Sequence, residues 1–431
     1  MLILMKGKIK FFMFIIILLF VSCQSKQDAN KVNDIVQLSE SHKLVLPIDE
    51  NTYYMSRSIF QYEEDGKEFL HFENNRNNYN EIVIFDIEEQ EVSKKVKIDP
   101  EGPNGVPAAL GCRPLNNSSK EFIVFQNNVG RVSLINDKGE VLRKYETTTS
   151  EGRFNGISLF SYMYLPTFVK DSSLYIAQEL WEGNIKKEDW SKIPMFFSID
   201  LVTNSIEQAS LMRPDIFEDC IAPMGGYEFT YDYNYKNNLV VCSFIEYDSI
   251  MISKDLKHAT WYNAKSRYVE SMRPELIESN EGAKGVRGYK ERAMYSHIMY
   301  DKYRDVYYRF VELPCELARN ETPYSPGVPK AREFSVIVMD KNFNIIGETK
   351  FPGNTYFYKM SFVGKSGLYI SENNLNNPTF DENKLIFACF TLEERNKLKY
   401  NPSEYPKPQG CGTPIHPKQR NGRRNACRGV C

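Results

Sequence analysis

The chain has 431 residues, and its 54 Lys and Arg residues nearly balance its 56 Asp and Glu residues, for a formal net charge of −2. Residues 1–22 contain three lysines and no acid, and residues 401–431 contain six basic residues and one Glu, so the body between them is acidic. Nucleic-acid binding needs clustered Lys and Arg, so we expect no nucleic-acid partner. The 27 Tyr and 27 Phe residues favour strands over helices.

The N-terminal segment has the three parts of a secretory signal. Lys6, Lys8 and Lys10 precede an apolar run over residues 11–21, and a small residue then comes directly before Cys23. A transmembrane anchor is the alternative, but spanning a bilayer takes about 20 apolar residues, and the lysines interrupt the stretch. We therefore predict a cleaved signal peptide.

The sequence Phe20-Val21-Ser22-Cys23 resembles the lipobox of bacterial lipoproteins, although Phe20 replaces the usual leucine. The resemblance implies that Cys23 becomes the acylated first residue of the mature chain and that the membrane is a partner through its acyl chains. It also implies an outer-membrane lipoprotein, because Gln24 stands where an aspartate favours the inner membrane. Periplasmic and surface-facing orientations stay open.

A repeated strand-turn-strand unit is the strongest internal signal. An apolar strand that ends in an acidic turn and continues into a second strand occurs five times, with Asp86, Asp137, Asp200, Asp255 and Asp340 in the turns. One or two strand-like runs precede each unit, so each repeat predicts a four-stranded antiparallel meander.

A sixth repeat begins at "NTYFYKMSFV" and lacks its fourth strand. The segment "HKLVLPI", residues 42–48, stands alone, and pairing it with the strand around Phe387 would close the last sheet and remove an exposed edge. We therefore predict an all-β fold: a six-bladed β-propeller of four-stranded antiparallel blades, closed by the N-terminal strand. Two separate β-sandwiches are the alternative, since they also contain many short strands.

The predicted organisation follows from these segments: a signal peptide at 1–22, a flexible tether at 23–42, the propeller at 43–395 and a disordered tail at 396–431. Residues 264–292 are polar and lack strand alternation, so we expect an insertion between the fourth and fifth blades, with a short helix starting at Pro274. The tail is rich in Pro, Gly and Arg and has too few apolar residues to form a core.

Several of these features together resemble a known family. The signal with its lipobox, "DPEGPNGV" at 99–106, "IMYDKYRDVYYRF" at 298–310 and the succession of strand-turn units are similar to the bacterial lipoproteins of the domain of unknown function 4221. The resemblance covers roughly residues 1–395. It implies an exported, propeller-like protein with no established activity, and it supplies no catalytic residue.

Cysteines and histidines give no strong signal for a bridge or a metal. Cys112, Cys220, Cys242, Cys315 and Cys389 are too widely spaced for a disulfide framework, so buried free thiols are expected, with bridges as the alternative. The four Cys and His residues of the tail match no common zinc finger. We expect no metal and no cofactor.

Candidate ligand-binding residues lie on the predicted inter-blade loops, which surround the central channel of a propeller. The turn "EGPNGV" can expose backbone amides to a ligand or merely pack neighbouring blades. Arginines and tyrosines on the other loops can hold an anionic or sugar-like ligand. The set comprises Glu101, Gly102, Asn104, Gly105, Arg153, Arg213, Arg267, Arg273, Tyr295, His297 and Tyr356.

Three hypotheses describe the function. The leading hypothesis is a lipid-anchored envelope propeller that binds a ligand or partner protein without catalysis. The alternative is a carbohydrate-active enzyme with its site at the central channel, for which His297 is the candidate general base, although a structural hydrogen-bonded histidine also fits that position. A third hypothesis is a scaffold in an envelope complex. The partners expected are the membrane and an envelope protein or glycan.

Overall fold

The structure is a computed structural model. It describes residues 34–395, except for the segments 77–78, 108, 110, 127–129, 150–151, 154–158, 160, 179–190, 216–228, 271, 273–290 and 317–331. The predicted signal peptide, the acylation site Cys23, the start of the tether and the tail at 396–431 lie outside the described residues. So do Cys220, Arg273 and the predicted helix at Pro274.

The described chain forms six four-stranded antiparallel sheets, as predicted, and each sheet is one blade. The strands of blades 1, 2 and 3 are β2 (Ile59–Glu64), β3 (Lys67–Arg76), β4 (Tyr79–Asp86) and β5 (Glu91–Ile98); β6 (Cys112–Pro114), β7 (Glu121–Gln126), β8 (Arg131–Asn136) and β9 (Val141–Glu146); and β12 (Phe168–Lys170), β13 (Ser173–Ala177), β14 (Phe196–Asp200) and β15 (Ile206–Gln208). Between blades 2 and 3, β10 (Thr148–Thr149) and β11 (Gly152–Arg153) form a small hairpin. Within blade 2, Leu115–Asn117 form a 3-10 turn between β6 and β7.

The strands of blades 4, 5 and 6 are β16 (Phe229–Asn234), β17 (Leu239–Phe244), β18 (Ser249–Ser253) and β19 (Thr260–Asn263); β20 (Met294–Asp301), β21 (Val306–Glu312), β22 (Phe334–Met339) and β23 (Ile345–Phe351); and β24 (Phe357–Val363), β25 (Leu368–Ser371), β26 (Lys384–Glu394) and β1 (Val36–Pro47). The fourth strand of blade 6 is thus the first strand of the chain. The described residues contain no helix that is long and apolar enough to cross a membrane.

The N-terminal strand closes the ring in the predicted register. β1 pairs with β26 so that Leu44 lies opposite Phe387. The strand begins at Val36, so residues 36–42, which we assigned to the tether, belong to the blade. Their polar composition misled the prediction because an edge strand can leave polar residues exposed, as Glu40, Ser41 and His42 are here, while Leu38 is buried.

Polar side chains close most of the turns between the third and fourth strands. Asp86 Oδ1 accepts hydrogen bonds from the backbone N–H groups of Glu88 and Glu89, both at 3.1 Å. Asp200 and Asp255 accept from the residues two and three later in the same way, and Asp340 accepts from the residues two and four later. In blade 2 the capping side chain is Asn136 rather than the predicted Asp137, which pairs instead with Lys94 of blade 1. A short polar side chain that accepts from the backbone two or three residues later stabilises such turns.

Hydrophobic clusters fill the spaces between neighbouring blades. Between blades 6 and 1, Leu44, Leu46 and Phe362 pack against Ile59 and Phe72. Five further clusters of the described residues join blades 1 and 2, 2 and 3, 3 and 4, 4 and 5, and 5 and 6. This continuous ring excludes the alternative of two separate sandwiches.

Two faces of the ring follow from the antiparallel strand order. The loop face carries the connections between blades and those between second and third strands, whereas the turn face carries the connections between first and second strands. Residues 264–293 connect blades 4 and 5, as predicted, and residues 313–333 connect β21 and β22 within blade 5. The strands that flank both connections end on the loop face, and the second connection accounts for the remaining length of this repeat.

Candidate functional site

A short hairpin, residues 161–167, lies at the axis of the propeller, and we call it the central hairpin. Its Tyr162 and Leu165 form an isolated antiparallel bridge. Ser58, at the entry to blade 1, donates its hydroxyl to Ser161 O at 2.6 Å, and Tyr231 N of blade 4 donates to Tyr164 O at 3.2 Å. Blades 1 and 4 lie opposite each other in the ring, so the hairpin spans the axis.

Blade 6 also contacts the central hairpin. Ser361 N lies 3.5 Å from the Met163 sulfur, and the Met163 side chain joins the core between blades 6 and 1. Met163 is 5% exposed. The hairpin therefore fills the axis on the side of the loop face, where the sequence predicted an open channel lined by loop residues.

Two of the predicted channel residues, Tyr295 and His297, are buried. The Tyr295 hydroxyl donates to Asp248 Oδ1 at 2.7 Å and accepts from Ser266 N at 3.2 Å. His297 Nε2 lies 3.2 Å from Ser361 Oγ, and the ring stacks on Phe310 with centroids 4.0 Å apart. Burial lowers the pKa of His297 to about 3, so the ring is neutral and packed rather than presented to a substrate.

The predicted loop arginines have partners within the fold. Arg267 is exposed, and it pairs with Asp34 and with Glu348 of β23, so these two carboxylates hold its charge against the outer strand of blade 5. Arg213 is buried, donates to Gln178 O and lies 5.4 Å from the ring centroid of Phe229. Arg153 ends β11, and its side chain lies outside the described part.

Two further parts of the predicted set are described: the turn at residues 101–105, and Tyr356. Glu101, Gly102 and Asn104 are exposed, and Gly105 N donates to Gly102 O at 2.9 Å. The Tyr356 hydroxyl donates to Glu40 Oε2 of β1 at 3.3 Å. Among the described residues, this bond within the turn is the only hydrogen bond or ion pair that joins two members of the predicted set.

A different cluster forms on the turn face, around Arg113 of the inner strand β6. Its guanidinium donates to Thr167 O at the end of the central hairpin and to the Tyr235 hydroxyl at 3.2 Å. The same group lies 4.9 Å from the ring centroid of Phe60, in blade 1. Arg113 forms no ion pair within the described part of the chain, so its charge has no carboxylate partner there.

Arg113 lines a cleft of about 320 Å³ between blades 2 and 3, which we call the Arg113 cleft. Its lining consists of Arg113, Pro114, Leu115, Asn116, Asn117, Ile123, Thr167, Phe168, Val169, Leu174 and Tyr235. These residues come from the inner strands, from the connection after β6 and from the turn after β16. The volume lies at the lower end of the range for small-molecule pockets.

Aromatic rings support one wall of the cleft. Phe168 stacks on Tyr233 with centroids 4.1 Å apart, and Tyr233 holds Tyr235 edge-on at 4.7 Å. Tyr235 is 51% exposed, so one large ring is presented to solvent on a rigid support. Exposed Asn116 and Asn117 form the opposite edge, with φ angles of 54° and 52° in the left-handed region that asparagine tolerates better than most residues.

Asp232 is the carboxylate of blade 4 nearest this cluster in sequence. It accepts hydrogen bonds from the backbone N–H groups of Tyr300 at 2.7 Å and Tyr233 at 2.8 Å. Burial raises its pKa to about 6, against the opposing effects of these two bonds and of the Arg113 charge. The described residues contain no group of three or more His, Cys, Asp and Glu side chains placed to hold a metal. Because it accepts from Tyr300 N of blade 5, Asp232 links blades 4 and 5.

Few features of the sequence predict this cleft. Arg113 follows the "DPEGPNGV" turn, but its residue type alone does not distinguish it from many solvated arginines. Phe168 begins β12 and Tyr235 follows β16. In the sequence, neither residue differs from the many other aromatic residues of the strands. What brings them together is the ring closure, which packs the inner strands of blades 2, 3 and 4 side by side.

Fold and site together define a six-bladed β-propeller with a filled axis and a small cationic cleft on one face. The chain belongs to the family described as Domain of unknown function (DUF4221), whose model matches residues 35–350. A crystal structure of a member of this family from Bacteroides vulgatus is 52% identical, with a TM-score of 0.79, and the match covers 84% of this chain and 99% of that one.

More distant structures also match. A candidate exported protein of Bacteroides fragilis is 10% identical, with a TM-score of 0.48, over 84% of this chain and 97% of that one. Virginiamycin B lyase of Staphylococcus aureus is 9% identical, with a TM-score of 0.38, over 82% of this chain and 99% of that one. A search of curated proteins found no match.

Proposed function

We propose that this protein is an exported, outer-membrane lipoprotein whose propeller binds a small ligand in the Arg113 cleft without catalysis. The signal and lipobox at residues 11–23 support the membrane anchor, since several acyl chains on Cys23 hold a protein firmly in a bilayer. The Arg113 cleft supports the binding role, because it combines a cation, exposed amides and an aromatic wall.

The observation that carries the proposal is the unpaired charge of Arg113 in a preformed cleft. A surface arginine usually moves freely in water, whereas this guanidinium is fixed by Thr167, Tyr235 and Phe60. Pockets that bind small molecules are usually formed before the ligand arrives and carry a few placed polar groups on an apolar wall. Arg113 and its neighbours fit that description.

The enzyme hypothesis has less support from the described residues. The candidate base His297 is buried and held neutral, and Asp232 is bonded to two backbone N–H groups. A glycosidase needs two carboxyl groups flanking a bound sugar, which this arrangement does not offer. A scaffold role stays compatible with the fold, and an envelope protein or a glycan fits as the partner.

The anchor is tested by metabolic labelling with an alkyne-bearing fatty acid in the native host. The wild-type chain should carry the label and sediment with outer membranes, and Cys23→Ala should lose the label. An unlabelled wild-type chain would contradict the lipoprotein assignment.

The binding role is tested by saturation-transfer NMR on the full mature chain in detergent. The probes are glucose, galactose, N-acetylglucosamine, glucuronate and galacturonate. Val169→Trp, which fills the cleft from its half-buried wall, should abolish the signal of every sugar that binds. Leu142→Trp, on an exposed outer strand, is the matched control and should leave the signal intact. Absence of binding by all five probes would reject a sugar-binding cleft.

A further inference from the structure

The Arg113 cleft has an unusual charge for this protein. Arg113 is the one charged residue among its described lining, and no acid is present there, although the body of the chain is acidic. A cleft that is lined by charge of one sign and has low-dielectric walls concentrates the electrostatic potential, so it attracts ligands of the opposite charge. The ligand should therefore carry a negative charge.

Arg113 has donors left for a ligand. A guanidinium carries five N–H donors in a fixed fork, and the described contacts use two of them. The remaining donors and the planar geometry match a carboxylate in a bidentate arrangement. Because Phe60 and Tyr235 already hold the group in place, little side-chain entropy is lost when the ligand binds.

The remaining walls suit a hydroxylated ring. The apolar face of a sugar packs against exposed aromatic rings, and Tyr235 presents such a ring on a rigid support. The exposed amides of Asn116 and Asn117 offer both donors and acceptors to hydroxyl groups. A volume of about 320 Å³ accommodates one or two sugar rings rather than a long chain.

We infer that the Arg113 cleft recognises an acidic sugar, a uronic acid, with its carboxylate on Arg113 and its ring between Tyr235 and the asparagine pair. This inference rests on the proposed binding function and adds its ligand class. Arg113 sets the preference for the acid, and Tyr235 contributes to the binding of any sugar.

The test compares two probes that differ at one carbon, glucuronate and glucose, by isothermal titration of the full mature chain in detergent. Glucuronate should bind at least tenfold more tightly than glucose. Arg113→Met should lose at least tenfold in affinity for glucuronate and change that for glucose by less than threefold. Tyr235→Ala should weaken both sugars, whereas Tyr235→Phe keeps the ring but loses the hydroxyl that fixes Arg113, so it should retain glucose and weaken glucuronate.

Matched controls separate the possible failures. Arg131→Met removes an arginine that pairs with Glu146 on an outer strand and should leave both affinities unchanged. Thermal melting identifies any variant that fails to fold, and Arg113→Lys, which keeps the charge but not the fork, should give an intermediate affinity for glucuronate.

Three results would overturn the inference. Equal affinity for glucose and glucuronate would leave a sugar-binding cleft but reject the acid preference. No binding of glucuronate would reject the inference, and a sugar-binding cleft is rejected with it only if none of the five sugars binds. Inorganic phosphate that binds as tightly as glucuronate, and displaces it, would show a general anion site and reject the sugar class.

Discussion

Arg309 of β21 is the largest fully buried side chain among the described residues. Its guanidinium donates to Ser243 Oγ at 2.8 Å and to the carbonyl oxygens of Tyr247 and Asp248, both at 2.6 Å. It also lies 3.3 Å from the ring centroid of Tyr295. Burial lowers its pKa to about 10, so the group stays charged at neutral pH. One residue thus holds the connection after β17 against blade 5.

Replacing Arg309 tests this interpretation. Arg309→Met leaves several buried carbonyl oxygens without donors, so we expect a loss of about 3–5 kcal/mol in the free energy of unfolding. Urea denaturation at pH 7 measures it. Arg131→Met, which breaks an exposed ion pair, should cost about 1 kcal/mol or less. A cost below about 1 kcal/mol for Arg309→Met would show that the carbonyl groups find other partners.

His71 of β3 makes the stability depend on pH. Its side chain is fully buried between Phe60 and Phe122, at ring distances of 5.9 and 5.8 Å. Burial, helped by the charge of Arg113, lowers its pKa to about 3. The unfolded chain binds a proton near pH 6.5 and the folded chain does not, so stability contributed by neutral His71 is lost as the pH falls below 6.5.

The His71→Leu variant isolates this contribution. Burial raises the pKa values of Glu73 and Asp232, so these two groups increase the stability as the pH falls, opposite to His71. The informative quantity is therefore the difference in pH dependence between wild type and His71→Leu. Between pH 6.5 and 4.5, wild type should lose about 2–3 kcal/mol more than His71→Leu, following 1.36 kcal/mol per pH unit. Urea midpoints at the two pH values give the result. Parallel pH profiles would contradict it.

At the scale of elements, the seating of the central hairpin depends on a glycine. Gly111, just before β6, has φ of +87°, and an added Cβ would lie 2.8 Å from Ser161 N and 2.9 Å from Ser161 O. Gly102 has a similar φ of +89°, but an added Cβ there meets nothing within 4 Å. The two positions share their backbone strain and differ only in crowding.

This pair makes a matched experiment. Gly102→Ala should cost about 1–2 kcal/mol, the cost of a side chain in the left-handed region. Gly111→Ala should cost about 1–3 kcal/mol more, because the hairpin backbone must move. Chemical denaturation of both variants measures the difference. Equal costs would show that the hairpin is not held tightly against the entry to blade 2.

Strand repeats and their turn acids predicted most elements, because alternation and turn chemistry are local properties of the sequence. The central hairpin escaped prediction because "SYMYLPTF" reads as one more strand, and its partners Ser58 and Tyr231 are far away in sequence. The predicted binding residues lay on the loop face because the contacts that form the Arg113 cleft also join residues that are distant in sequence. A residue pattern shows which side chains belong to a strand, but not which strands of separate blades meet around Arg113.

At the scale of the whole molecule, the ring is held closed by β1. Leu44 and Leu46 are 2% and 0% exposed, and they join the core between blades 6 and 1. The strand also covers the edge of β26 with a ladder that runs from Val36 to Pro47. Removing it would expose both an apolar surface and a row of unpaired backbone groups.

Two truncations distinguish this closure from a passive linker. A chain that starts at residue 34 keeps β1 and should retain the melting temperature of the mature protein. A chain that starts at residue 48 loses the burial of at least two leucines, each worth about 1.5–3 kcal/mol, together with the strand pairing. That loss is a large part of the 5–15 kcal/mol typical of domain stability, so the shorter chain should melt at a much lower temperature or aggregate. Size-exclusion chromatography and circular dichroism melting follow both outcomes, and a monomeric shorter chain with an unchanged melting temperature would show that blade 6 is stable with three strands.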